Sequence, residues 1–145
     1  MRPTKRSFTF LEVIVVIFIL GMLVAIVAPR IIGRTDEARI AQAKIQIRNF
    51  ETALRLYKLD HGFYPDTEQG LKALVEKPTT GRIPKKYPEG GYLEEKAIPH
   101  DPWGNPYIYI CPGIHEDCDI ISKGADDQEG GEGKNADIES WNLQK

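Results

Sequence analysis

Phe8-Thr9-Phe10-Leu11-Glu12-Val13-Ile14-Val15-Val16-Ile17-Phe18-Ile19-Leu20-Gly21-Met22-Leu23-Val24-Ala25-Ile26-Val27-Ala28 is the stretch that decides the fold. Apart from Thr9 and Glu12, every side chain in it is apolar or glycine, and about 20 such residues in a helix match the hydrocarbon thickness of a bilayer. The segment is therefore expected to sit in a membrane. Arg2, Lys5 and Arg6 precede it with no acidic residue among them. That positive charge holds the extreme N-terminus in the cytoplasm and sends everything beyond Pro29 across the membrane. The competing reading is a cleaved secretory signal peptide, with residues 24–28 as the small residues before a cut. Glu12 argues against it, because a carboxylate in a membrane segment costs ~2.5–3.5 kcal/mol on insertion scales and so marks a job. It needs a partner.

Working outward, residues 9 to about 60 read as one long helix, interrupted at Pro29 and weakened near Gly33. Ile40, Ala43, Ile47, Phe50, Leu54 and Tyr57 recur at steps of three and four, the spacing of one helical face that must pack on something. Pro29 lacks a backbone donor, so a kink or local unwinding is expected there. Gly62 ends the helix, and Asp66 with Gln69 three residues later reads as a capping pair opening a second, short helix through Val75. The Pro- and Gly-dense stretch up to Gly104 reads as loop, with one short regular piece expected around Leu93. Residues 107–111 and 119–122 read as two strands facing each other across a cysteine loop, and residues 138–143 as a last strand. The expected class is α+β: a long helical spine, membrane half plus amphipathic half, with a small antiparallel sheet laid against its outer half.

With 145 residues there is room for one small domain beyond the apolar segment. Loss of Arg2, Lys5 and Arg6 would take the formal charge from −2 to −5, and no Lys/Arg cluster of the kind that neutralises phosphates is present. Nucleic acid is not an expected partner. Cys111 and Cys118 flank a short loop that suits a hairpin disulfide in an oxidising compartment, with two free thiols as the alternative. His61, His100 and His115 are scattered through turn-like context. No nucleophile sits in a recognisable setting and no Gly-rich phosphate loop precedes a helix, so no enzyme is expected. Trp103 and Trp141 read as core or subunit-contact aromatics. Residues 123–138 form an acidic, glycine-rich loop, too polar to bury. Such a chain suits calcium, which takes six to eight oxygen ligands, but the regular acidic spacing of an EF-hand is missing.

The run Lys5-Arg6-Ser7-Phe8-Thr9-Phe10-Leu11-Glu12 resembles the class III leader of type IV pilins and type II secretion pseudopilins. Tyr57-Lys58-Leu59-Asp60, Phe63-Tyr64-Pro65, residues 67–74, residues 87–92, Asp101-Pro102-Trp103-Gly104 and Gly124-Ala125-Asp126 are similar to stretches of the major pseudopilins, the general secretion pathway protein G family. The leader is shared by all pilin-like chains, whereas the later set is far more specific.

The resemblance implies a division into a cytoplasmic leader (1–7), a transmembrane and assembly helix (8–28) and a periplasmic domain (29–145). It implies cutting by a prepilin peptidase between Ser7 and Phe8, with N-methylation of the new terminus at Phe8; the family's usual residue before the cut is Gly. It also implies that Glu12 of one subunit meets the Phe8 amino group of a neighbour, setting the stagger of otherwise featureless helices. Snorkelling of Glu12 to the headgroups is the competing role. Calcium is the implied cofactor, with carboxylates from Asp126 and Asp137 and backbone carbonyls from Lys123, Gln128 and Lys134. Ala136 stands where some relatives carry a further acid. The implied function is that of a subunit stored in the bacterial inner membrane with its N-terminus cytoplasmic. It would polymerise into a helical periplasmic filament that drives folded proteins across the outer membrane. Other copies of itself, minor pseudopilins, an inner-membrane assembly platform and its ATPase are the implied partners. A type IV pilus subunit is the nearest alternative, and a membrane-anchored periplasmic enzyme or binding module a more distant one.

Overall fold

A computed structural model describes residues 9–144, with only the backbone described for residues 25–34. Ser7 and Phe8, and with them the expected cleavage and methylation site, lie outside the described residues. The chain divides into two units, Met1–Asp36 and Glu37–Lys145.

In the first unit the dominant element is the start of α1 (Phe10–His61). Thr9 stands just before it, and its hydroxyl oxygen accepts the Glu12 N–H at 3.3 Å, the arrangement by which a Thr cap satisfies a free donor of the first turn. The helix continues unbroken through Pro29, so the local unwinding expected there does not occur. Pro29 removes one donor from the ladder, and the flanking turns keep the helical path. From Phe10 to Val24 the large apolar side chains are between 45 and 83 % exposed. No helix among the described residues is long and apolar enough to cross a membrane; within the apolar run the described side chains end at Val24, and those of residues 25–28 lie outside the description.

The second unit is built on the later part of α1. Ala43, Ile47, Phe50, Ala53, Leu54 and Tyr57 are buried and Ile40 packs beside them, so the stripe expected from the spacing is the helix's inner face. Gly62 closes the helix at φ 80, and its N–H reaches the Lys58 carbonyl at 2.7 Å; glycine adopts this left-handed turn without the penalty of a Cβ. Asp66 and Gln69 cap each other reciprocally, Gln69 N–H to Asp66 Oδ1 at 2.8 Å and Asp66 N–H to Gln69 Oε1 at 3.1 Å. The helix expected to follow them is only a 3-10 turn, Leu71–Leu74. The Gln69 amide is the reason this segment is held in place, since it also donates to the carbonyls of Thr80 and Arg82. No regular element forms around Leu93.

The sheet has the order β1-β2-β3, formed by β1 (Ile108–Ile110), β2 (Asp119–Ser122) and β3 (Ile138–Glu139), all antiparallel. Ile108 faces Ile121 and Ile121 faces Glu139 across the ladders. The last strand is shorter than the expected 138–143, because Ser140–Asn142 turn into a 3-10 helix; there the Ser140 hydroxyl oxygen takes the N–H of Ile120 at 3.1 Å. Ile120 is fully buried, and Tyr107 meets Phe50 edge-on at 5.1 Å, which joins sheet to helix in one core. Cys111 and Cys118 are bonded to each other across the turn between β1 and β2.

Candidate functional site

Two places carry functional expectations, the start of α1 and the loop between β2 and β3. At the first, Glu12 is exposed and its carboxylate makes no ion pair among the described residues. It occupies the first turn of α1, where the free N–H groups favour negative charge. Apolar side chains surround it on every helical face, for residues 13–20 are exposed one after another without a polar stripe. A helix apolar all round must be covered by lipid or by other helices.

At the second, the chain leaves β2, makes the 3-10 turn Gly124–Asp126, crosses to a second 3-10 turn Gly133–Asn135, and enters β3. The two turns touch. Gly124, at φ +63, lies so close to the second limb that a Cβ would stand 2.8 Å from the Lys134 carbonyl oxygen and 2.9 Å from that of Ala136. Only glycine permits that approach. The Lys134 carbonyl is thus brought beside the Lys123–Gly124 limb. Asp126 Oδ1 accepts the Gln128 N–H at 3.2 Å, and Asp137 Oδ2 accepts the Gly130 N–H at 2.9 Å. Asp137 Oδ1 is buried and has no hydrogen-bond partner.

A buried carboxylate oxygen without a partner is costly, and a hard cation is the group that best satisfies it. No cluster of three or more His, Cys, Asp or Glu side chains able to share a metal occurs among the described residues. A cation here would have to draw on backbone carbonyls, as the set of two aspartates with Lys123, Gln128 and Lys134 does. The donors are hard oxygens, the chemistry that calcium takes and a soft metal does not.

Three residues beneath this loop, Asp101, Asn105 and Ser122, have no place in the expected site, yet they contact Gly124 directly or through one another. The turn signature of Asp101-Pro102-Trp103-Gly104 marks a local bend and nothing about a partner some 20 positions on. The histidines do not converge: His61 meets Tyr92 and His115 stacks on Trp141 at 3.8 Å.

The family model described as Type II secretion system (T2SS), protein G matches residues 30–141. The chain belongs to this family. The prokaryotic N-terminal methylation motif matches residues 2–28. The type II secretion system core protein G of Vibrio cholerae serotype O1 is 50% identical over 140 residues, covering 97% of this chain and 94% of the relative. That of Pseudomonas aeruginosa is 47% identical over 140 residues, covering 97% of each. A crystal structure of the major pseudopilin from the type 2 secretion system of enterohaemorrhagic Escherichia coli matches with a TM-score of 0.65 at 39% identity, covering 76% of this chain and 92% of that one. The type II secretion pseudopilin therefore has the pilin-like fold expected from its resemblance, and a type IV pilus subunit is not favoured.

Proposed function

We propose that this pseudopilin is the major structural subunit of a type II secretion pseudopilus. It waits in the inner membrane with its N-terminus cytoplasmic, is trimmed by a prepilin peptidase between Ser7 and Phe8, and is N-methylated at Phe8. It then leaves the bilayer to pack helix against helix in a periplasmic filament. The observation that carries this reading is the exposure of apolar side chains on every face of residues 13–20. That surface can be covered by lipid before assembly and by neighbouring subunits afterwards. Head-to-tail stacking that does not close on itself yields the fibre.

In a desolvated filament centre a lone carboxylate takes up a proton, whereas one beside an amino group stays charged and gains a charge-assisted bond. Glu12 of one copy and the Phe8 amino terminus of the next form that pair. Calcium is held in the 123–137 loop by Asp126 and Asp137 with the carbonyls of Lys123, Gln128 and Lys134, which ties the two limbs of the loop together. Minor pseudopilins, an inner-membrane platform and its ATPase complete the machine, and the growing fibre pushes folded proteins out. Glu12→Ala tests the pairing: membrane insertion should persist while filaments and secretion are lost. Normal filaments from that variant would refute it.

A further inference from the structure

Asp101 is 4 % exposed, and its carboxylate is spent entirely on the chain around it. Oδ1 accepts the backbone N–H groups of Trp103 at 3.1 Å and Asn105 at 2.8 Å, and Oδ2 accepts the Ser122 hydroxyl at 2.7 Å. With its proton committed to Asp101, the Ser122 oxygen offers its lone pairs, and the Gly124 N–H donates to it at 3.4 Å. Asn105, whose backbone Asp101 already holds, donates from Nδ2 to the Gly124 carbonyl at 2.9 Å. One buried carboxylate therefore grips Gly124 at both of its polar backbone atoms, through two separate arms.

Peptide planarity turns that grip into direction. The Gly124 N–H belongs to the same rigid unit as the Lys123 carbonyl, and in a trans peptide the two point opposite ways. Fixing the N–H on Ser122 therefore aims the Lys123 oxygen away from Ser122. The Gly124 carbonyl, bound by Asn105, is withdrawn as a competing ligand and fixes the plane of the next peptide, leading toward Asp126.

We propose that Asp101, acting through Ser122 and Asn105, is the positioning residue of the calcium loop: it presets the Lys123–Gly124 limb so that the Lys123 carbonyl is aimed before the cation arrives. This rests on the calcium reading of the loop given above. Groups that orient metal ligands without touching the metal are worth about 10–100-fold in affinity when removed.

The test uses the full chain in detergent micelles, titrated with calcium chloride by isothermal calorimetry and melted with and without chelator. Ser122→Ala and Asn105→Ala remove the two arms separately, and Asp126→Ala is the control that strips a ligand. Each arm variant should raise the calcium Kd about tenfold or more, and Asn105→Ala, at a half-buried position, should do so with only a small drop in Tm in chelator. The double variant should fall short of the product of the two, because both act on the same residue. A wild-type chain that ignores calcium in both assays overturns the calcium reading and this inference together. Calcium binding by wild type with unchanged Kd in both arm variants, and Tm lowered equally with and without calcium, overturns this inference alone. Asn105 is half-buried, so Asn105→Ala decides the matter even if Ser122→Ala does not fold.

Discussion

Asp119 shows how much one side chain can organise. Its carboxylate is 2 % exposed and accepts the backbone N–H groups of Ile114, His115 and Glu116 at 2.7, 3.1 and 3.0 Å, with the His115 ring at 3.3 Å. Burial pushes its pKa up, but those N–H groups and the ring outweigh burial and hold it below the ordinary carboxylate value. The folded state thus releases this proton more readily than the unfolded chain. The resulting stability is complete above the unfolded value near 4 and disappears as pH falls through the lower folded value. Asp119→Ala should cost about 3 kcal/mol at neutral pH, since three donors lose their acceptor. In denaturant titrations, that deficit should shrink as the pH is lowered from about 5 to about 2. Asp137 belongs to the same scale. Removing its orphaned oxygen in Asp137→Ala should leave a chain whose Tm no longer rises on adding calcium, whereas wild type should gain several degrees that a chelator takes back.

At the scale of elements, α1 and the β1–β2 turn contrast in what holds them. The outer part of α1 is held by the burial of Ile47, Phe50, Leu54 and Tyr57 in the core it shares with the sheet and the loops, each worth ~1.5–3 kcal/mol. The turn buries little and relies on polar latches: Thr67 exchanges hydrogen bonds with Cys111 in both directions, and Lys58 reaches Asp117 at 2.9 Å. The Cys111–Cys118 bond closes the same turn over a sequence separation of 7. Closing so short a loop limits the unfolded chain by roughly 2 kcal/mol. Cys111→Ser with Cys118→Ser should lower stability by about that much without preventing folding. Thiol counting on denatured protein isolated from the cell should find no free cysteine in wild type; two free thiols would show that the bond does not form there.

For the whole molecule the decisive quantity is apolar surface. Residues 10–24 leave a continuous greasy cylinder uncovered, far more than the few hundred Å² a soluble monomer tolerates. A single cysteine placed by Ile17→Cys should link neighbouring copies under mild oxidation in cells that carry the complete secretion machine. Dimers on a non-reducing gel are the expected readout, and monomer alone would count against helix-to-helix assembly. On the proposed assembly, removing the prepilin peptidase should abolish the crosslink, since the Phe8 amino group proposed as the partner of Glu12 would then never be created.

Helical features were legible in the chain because their determinants are local. Steps of three and four placed Ile47, Phe50 and Tyr57 on one inner face, and Gly62 and the Asp66–Gln69 pair marked real chain reversals. Local signals also misled where packing overrode them. Capping by Asp66 and Gln69 opened only one 3-10 turn, and β3 stopped at Glu139 because Ser140 turns in to meet Ile120. Of the loop, its aspartates and glycines were evident from composition and resemblance. The burial of Asp137 Oδ1 and the double grip of Asp101 on Gly124 came only from the tertiary structure. Those contacts join residues 19 and 21 positions apart, a separation at which neither helix nor strand periodicity constrains which side chain meets which, so only the folded core could bring them together.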